Sequence, residues 1–526
     1  MGFWRKECTK TILQRCCTYK EEPNLYKQST SSYEDSTLLT KILIHISFWI
    51  LQFLACVNET LFSWTKIKEK HRHGYLPLHD KMFSYYLRYI VHRVVDCWSY
   101  PICSAPGGVV ELRNRTRNGL GQPFYYTGST TKCINLASYN YLGFAETTGP
   151  CADAAVKSIY TYGISTGSTR QKNGTCPIHD ELEELVAEFL GVEDAVVFGM
   201  GFATNTLNIP FILNEECLVI SDEKNHNSLI LGIKLSGARI KVFKHNNTDD
   251  LEQLLQKAIY FGQPDQDGNF KQWKKIFVFV EGIYSMDGTI CRLPEIVALK
   301  KKYKAYLYLD EAHSSGAMGK TGRGVVEYFG CSPKDIDIWM GTFTKSFGST
   351  GGFIAGSRKF ITHVRDHSYA SRHAWAMSPP LAAQAIASMR TIMGKDGTDE
   401  GQNRLKKLAR NTRYFRRRVE QMGLIVHGNQ DSPVVPILVY FWCKIAILTR
   451  TLMKENIAII GVGYPATSLT EMRVRICLSS AHTKEQLDHA LEVLDKMADE
   501  LGLRYSRKAI DYTPIDYYKI ITHHDL

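Results

Sequence analysis

The chain has no Cys-x-x-Cys pair, no arginine-rich run, no zinc-finger spacing, no internal repeat and no uninterrupted apolar stretch of twenty residues. Its 14 cysteines are scattered. That argues against a disulfide framework or a zinc site, and for thiols packed as small apolar groups in a reducing compartment. Without zinc-finger spacing or an arginine-rich run, the net charge of +11 is not a nucleic-acid signature. It suits an anionic membrane surface, an anionic substrate, or solubility alone. The first 37 residues are polar and carry no apolar core, so no cleavable signal peptide is expected. Met1-Gly2 opens like a myristoylation site, but Lys6 stands where serine or threonine is required. Four Asn-x-Thr triplets, at Asn58, Asn114, Asn173 and Asn246, are chance matches if the domain is cytosolic.

At 526 residues, 44% hydrophobic and 22% charged, the chain has the material for two or more globular domains. From Ile42 to Val57 it is nearly all apolar, interrupted by His45, Ser47 and Gln52 and closed by Asn58-Glu59. Sixteen residues fall short of the roughly twenty that a span needs. Extended to Trp64, the segment either crosses a bilayer with distortion, lies in its interface, or is a buried helix of a soluble domain. The basic flank Lys66, Lys68, Lys70 and Arg72 would place the downstream side in the cytosol. His71 and His73 within it read as solvated. The adjacent Cys16 and Cys17 are candidates for palmitoylation beside a membrane.

Residues 1–74 form an N-terminal region whose membrane-associating segment is about 42–64. An arm follows over 75–134, with an extended linker from Pro101 to Gly108. From Asn135 short apolar runs alternate with helical patterns: Ala195–Phe198, Cys217–Ile220, Ile240–Phe243, Ile276–Val280, Tyr306–Leu309, Ile336–Trp339 and Gly352–Ala355. This predicts an α/β domain with a mainly parallel sheet, over 135–390. Ligands of such sheets bind at the carboxyl ends of the strands. Residues 391–505 predict a smaller α+β domain, with strands in Ser432–Tyr440 and Met472–Leu478 and a helix from Thr483 to about Leu501. A tail, 506–526, is left.

Two of those strand ends carry chemistry. Tyr306–Leu309 runs into Asp310-Glu311-Ala312-His313, and the strand ending near Trp339 runs into Gly341-Thr342-Phe343-Thr344-Lys345-Ser346-Phe347-Gly348. A lone lysine in a turn is ordinarily a surface lysine. A lysine after one strand, with an acid and a histidine after another, is what pyridoxal phosphate (PLP) requires. The lysine forms the Schiff base, the aspartate keeps the pyridinium nitrogen protonated, and the histidine donates to the phenolic oxygen. His226 follows the strand Cys217–Ile220, where it can stack on the ring. Gly199-Met200-Gly201-Phe202 opens a helix whose free N–H groups suit a phosphate, and the Thr342 and Thr344 hydroxyls can add to it. Arg473 and Arg475 alternate on one strand face, where a guanidinium can grip a substrate carboxylate or make a salt bridge between domains.

With these motifs assembled, the chain resembles the α-oxoamine synthase family of fold-type I PLP enzymes, from about Tyr75 to Ser506. The resemblance rests on Gly199–Asn205, Lys244–Thr248, Val280–Met286, Leu299–Ser314, Thr321–Gly330, Gly341–Gly348 and Asn411–Arg418. Its members condense an amino acid with an acyl-CoA and release carbon dioxide. The nearest branch uses L-serine and a long-chain acyl-CoA such as palmitoyl-CoA, giving 3-ketosphinganine. Sister enzymes use glycine or another acyl-CoA, and the branch includes a non-catalytic partner subunit that lacks the lysine.

The resemblance implies Lys345, Asp310, His313 and His226 as catalytic and cofactor residues, and Gly201, Phe202, Thr342 and Thr344 around the phosphate. It implies Arg475 on the substrate carboxylate, and no metal. It further implies a heterodimer with the lysine-less homologue, with small membrane regulators, at the endoplasmic reticulum membrane with the catalytic domain in the cytosol. The chain departs from the family pattern at Lys224 and Asn227, at Trp375-Ala376, in the region that reaches a neighbouring subunit's cofactor in relatives, and at Asn173–Ile178.

Overall fold

The structure, a computed structural model, describes residues 33–61, 86, 91–119, 123–263 and 270–520. Cys16 and Cys17, the basic flank with His71 and His73, and the extension to Trp64 lie outside the described residues. Helix α1 covers Leu38–Leu61, 24 residues, or about 36 Å at 1.5 Å per residue. It is longer than the apolar run alone predicts. Among the described residues it is the one helix long and apolar enough to cross a membrane. Ile44 is buried and Phe48 packs on Tyr86 and Tyr464, with ring centroids 5.4 and 6.4 Å apart. Leu43, Ile46, Ile50, Phe53 and Leu54 are exposed. The helix is thus docked along one stripe and bare on the rest.

Strands β1 (Val109–Thr116) and β2 (Tyr125–Asn135) form an antiparallel hairpin that sequence periodicity does not reveal. Nearly all of β2 up to Thr131 is exposed, so no alternation of apolar residues marks it. Beyond a helix over Pro150–Tyr162, α2 (Pro177–Leu190) shows how local chemistry sets an element. Proline stands in its first turn, Gly191 closes it with φ of 70°, and Ile178, Leu182, Leu185, Val186 and Phe189 bury one face.

The apolar runs become a seven-stranded sheet. Its strands are β3 (Asp194–Phe198), β4 (Cys217–Asp222), β5 (Arg239–Phe243), β6 (Lys275–Glu281), β7 (Tyr306–Asp310), β8 (Ile338–Thr342) and β9 (Gly352–Gly356). They lie in the order β3-β9-β8-β7-β6-β4-β5. Only β9 runs against its neighbours. The strand expected at Ile336 starts two residues later and extends through Thr342, which brings Lys345 close behind its carboxyl end. β4, β8 and β9 are buried at every position. Strands covered on both faces read as continuous apolar runs for that reason. Each buried Ile, Val, Leu or Phe there contributes roughly 1.5–3 kcal/mol.

Helices α3 (Gly201–Ile212) and α4 (Asn227–Leu235) follow β3 and β4, and α5 (Pro379–Ile392) packs against α2. Beyond lie α6 (Glu400–Gln421), an antiparallel sheet of β10 (Val434–Leu438), β13 (Arg473–Cys477) and β12 (Ile460–Val462), and α7 (Lys484–Glu500). α7 begins on a capping box formed by Thr483 and Gln486. The two-residue strand β11 (Ile457–Ala458) pairs in parallel with β2, which ties the hairpin to this carboxyl-terminal part.

Candidate active site

β4, β6, β7 and β8 are parallel neighbours, and their carboxyl ends open on one place. Asp310 is the last residue of β7 and is buried. Its Oδ1 accepts from the Ala312 N–H at 2.9 Å and its Oδ2 from Asn205 Nδ2 at 3.1 Å. Asn205 comes from α3, and its Oδ1 accepts from the Tyr308 hydroxyl at 2.7 Å. The same Asn205 amide donates to Ser228 Oγ at 2.9 Å, and Ser228 Oγ lies 2.8 Å from His226 Nδ1. The Ser228 backbone N–H also donates to that Nδ1 at 3.2 Å. Nδ1 is therefore an acceptor, and His226 carries its proton on Nε2. Burial lowers its pKa, against the pull of Asp310 and with the help of Lys345.

His313 is buried, with Nδ1 2.8 Å from the Tyr141 hydroxyl and Tyr139 edge-on at 4.7 Å. Burial first, then the cations Lys345 and Arg475, holds His313 well below the usual histidine range. Burial raises the Tyr141 phenol well above its own. Both groups are therefore neutral, and the Tyr141 hydroxyl engages Nδ1, which leaves Nε2 for another partner.

Lys345 Nζ lies 5.6 Å from the centre of the Tyr139 ring. Burial draws its pKa down to about 8, although Asp310 and Glu281 pull upward. Arg475 is buried over the same ring at 4.4 Å, and its Nε has no hydrogen-bond partner. An unpartnered buried guanidinium nitrogen is costly unless a ligand completes it. Glu281, which ends β6, is also here. It accepts the His226 backbone N–H, and burial, with Asp310 adding, holds its carboxyl well above the usual range.

The start of α3 makes a cradle beside these groups. No side chain caps it, so the first-turn N–H groups of Gly201 and Phe202 have no side-chain acceptor. A methyl group on Gly201 would fall 2.7 Å from Thr342 Oγ1. The absent side chain keeps the helix end open towards Thr342, whose hydroxyl lies 2.8 Å from that of Thr344. Helix N–H groups and two hydroxyls fit a phosphate. With a lysine of lowered pKa, a buried aspartate and a guanidinium whose Nε has no partner, the residues present fit PLP and a carboxylate substrate.

The residues expected from sequence, Lys345, Asp310, His313, His226, Gly201, Phe202, Thr342, Thr344 and Arg475, are brought together. Asn205, Ser228, Tyr139, Tyr141 and Glu281 were not singled out. Asn205 and Glu281 fall within stretches that carried the resemblance, and Tyr139 and Tyr141 lie in Ser138-Tyr139-Asn140-Tyr141-Leu142-Gly143, just past the expected start of the large domain.

The family model "Aminotransferase class I and II" matches residues 131–494. A human protein, serine palmitoyltransferase 3, is 45% identical over 96% of this chain and 93% of its own length. Serine palmitoyltransferase 2 of Caenorhabditis elegans is 47% identical over 92% of this chain and 87% of its own. Among solved structures, the serine palmitoyltransferase of Sphingomonas wittichii superposes with a TM-score of 0.64 at 28% identity, over 72% of this chain and 89% of that one. A variant from S. paucimobilis with bound PLP and myriocin superposes with a TM-score of 0.65 at 27% identity, over 74% of this chain and 93% of that one.

Proposed function

This chain belongs to the serine palmitoyltransferases within the class I and II aminotransferase family, and from that premise we propose how its site works. The reaction joins L-serine to a long-chain acyl-CoA such as palmitoyl-CoA and yields 3-ketosphinganine, carbon dioxide and free CoA. The observation that carries this reading is the convergence of Lys345, Asp310, His313 and His226 beside a buried arginine with an unpartnered nitrogen.

When bound, PLP supplies the electron sink for the charge left on the amino acid's α-carbon. Lys345 Nζ is the covalent holder. Asp310, which accepts from the Ala312 N–H and from Asn205 Nδ2, would pair with the pyridinium nitrogen. His313, whose Nδ1 is engaged by the Tyr141 hydroxyl, would meet the phenolic oxygen through Nε2. His226, fixed by Ser228 and Glu281, would stack on the ring. Gly201, Phe202, Thr342 and Thr344 receive the phosphate. Arg475 would take the serine carboxylate at its guanidinium, whose Nε has no partner. Once serine is in place, the amine of Lys345, with a pKa of about 8, is matched to taking the α-proton near neutral pH.

Trp375, Ile164, Tyr160 and Met200 are large apolar side chains left exposed, Trp375 by 68%. The Trp375 backbone lies against Gly199, close to the cradle. This supports a homologous partner subunit seated at the site, one that lacks the lysine, with small membrane regulators. The bare faces of α1 support residence at the endoplasmic reticulum membrane, with the catalytic part in the cytosol. Residues 135–390 then form the PLP domain and 391–505 the small domain.

The test is a purified preparation assayed with L-serine, glycine and acyl-CoA thioesters of several lengths, beside Lys345→Ala. The unaltered protein should show the visible absorbance of bound PLP and release 3-ketosphinganine. The variant should lose both. An unchanged spectrum in Lys345→Ala, or product from glycine alone, would overturn the reading.

A further inference from the structure

Lys224 departs from the family pattern and the site described above does not use it. It lies two residues before His226, in the loop that β4 feeds, and its side chain is 30% exposed. Its backbone N–H donates to Asp222 Oδ1 at 2.9 Å. Its Nζ lies 3.0 Å from Asp287 Oδ2. Asp287 is buried, and its other oxygen takes Arg473 Nη1 at 2.5 Å. Arg473 in turn holds Glu471 at 3.0 Å and donates to the Met286 carbonyl at 3.1 Å. Arg475, two residues along β13, reaches the Met286 sulfur at 3.7 Å. One turn, Met286-Asp287, is therefore gripped from the His226 loop on one side and from the strand carrying both arginines on the other.

The charges close. Lys224 and Arg473 are the cations, Asp287 and Glu471 the anions. His427, buried next to them, is held neutral by burial and by Arg473. Burial alone would push the Asp287 carboxyl up, but Arg473 and Lys224 hold it well below the usual range. Without Lys224 the other three carry one net negative charge, next to the Met286 whose sulfur Arg475 contacts.

We propose that Lys224 is a positioning residue for the α-amino acid. Through Asp287 it ties the loop of His226 to the strand of Arg475, and it keeps the ground behind Arg475 neutral so that a substrate carboxylate is not repelled. The inference rests on the reading of Arg475 given above. A unit charge roughly 10 Å away, in a medium of effective dielectric about 20, changes binding roughly ten-fold.

The experiment uses the PLP-loaded full chain with whatever subunit it purifies with, as Lys224→Gln and Lys224→Arg. L-serine is titrated without acyl-CoA, and the change in PLP absorbance gives its dissociation constant. Lys224→Gln should raise that constant about ten-fold while the absorbance before serine stays unchanged. In turnover the loss should fall on KM more than on kcat. Lys224→Arg should bring the constant back to within about three-fold of the original. Equal constants for Lys224→Gln and the unaltered protein, or no recovery in Lys224→Arg, would overturn the proposal. Failure of the underlying reading looks different: Arg475→Gln would then bind serine as well as the unaltered protein.

Discussion

Lys345 is placed for chemistry at a cost to folding. Its amine is drawn from 10.5 down to about 8, chiefly by burial. Below pH 8 the folded chain holds a disfavoured charge that the unfolded chain does not feel. As pH rises from about 8 to about 10.5 the folded lysine is already neutral while the unfolded one still binds a proton, so stability rises across that window. Lys345→Met should raise the Tm of PLP-free protein at pH 7 by roughly 2–4 °C, and the advantage should shrink towards pH 10; calorimetry across that range checks it. Asp310→Asn should keep the hydrogen bonds of Asn205 and Ala312 in part but lose the charge that holds the ring nitrogen protonated. Turnover should fall roughly 100- to 1,000-fold with PLP still bound, as read by steady-state assay and absorbance. Both residues were legible because each stands just behind an apolar run that ends in polar chemistry. Their partners were not. Tyr141 meets His313 across 172 positions and Asn205 meets Asp310 across 105, and no local pattern announces such a pair.

At the level of elements, the sheet was legible because strands buried on both faces have to be written as apolar runs. The reversed direction of β9 was not, since Gly352–Gly356 reads the same either way. The hairpin of β1 and β2 escaped because its polar, exposed strands leave no period to count. The uncapped start of α3 is an element with a measurable role. Gly201→Ala adds a methyl 2.7 Å from Thr342 Oγ1, too close for either group to stay in place. PLP affinity should fall by about ten-fold or more in an equilibrium titration, while far-ultraviolet dichroism stays unchanged because alanine favours the helix.

For the whole molecule, α1 is the candidate anchor, long and apolar enough to cross a membrane. Ile46→Lys, Ile50→Lys and Phe53→Lys together charge its bare face and leave Ile44 and Phe48 on their partners. Flotation with liposomes should drop markedly, with PLP absorbance retained. Equal flotation would move the anchor elsewhere. The hairpin's attachment has a consequence for how such a chain is made. β2 leaves the ribosome early, yet its partner Ile457–Ala458 follows more than three hundred residues later. At about 5–20 residues per second, that edge waits roughly a quarter of a minute to a minute for its mate. An apolar edge left bare for so long would recruit other nascent chains. Of β2 only Ile134 and Asn135 wait for that mate, and most of the strand before them is exposed, Gly128-Ser129-Thr130 included, so the unfinished edge is a short template for other nascent chains.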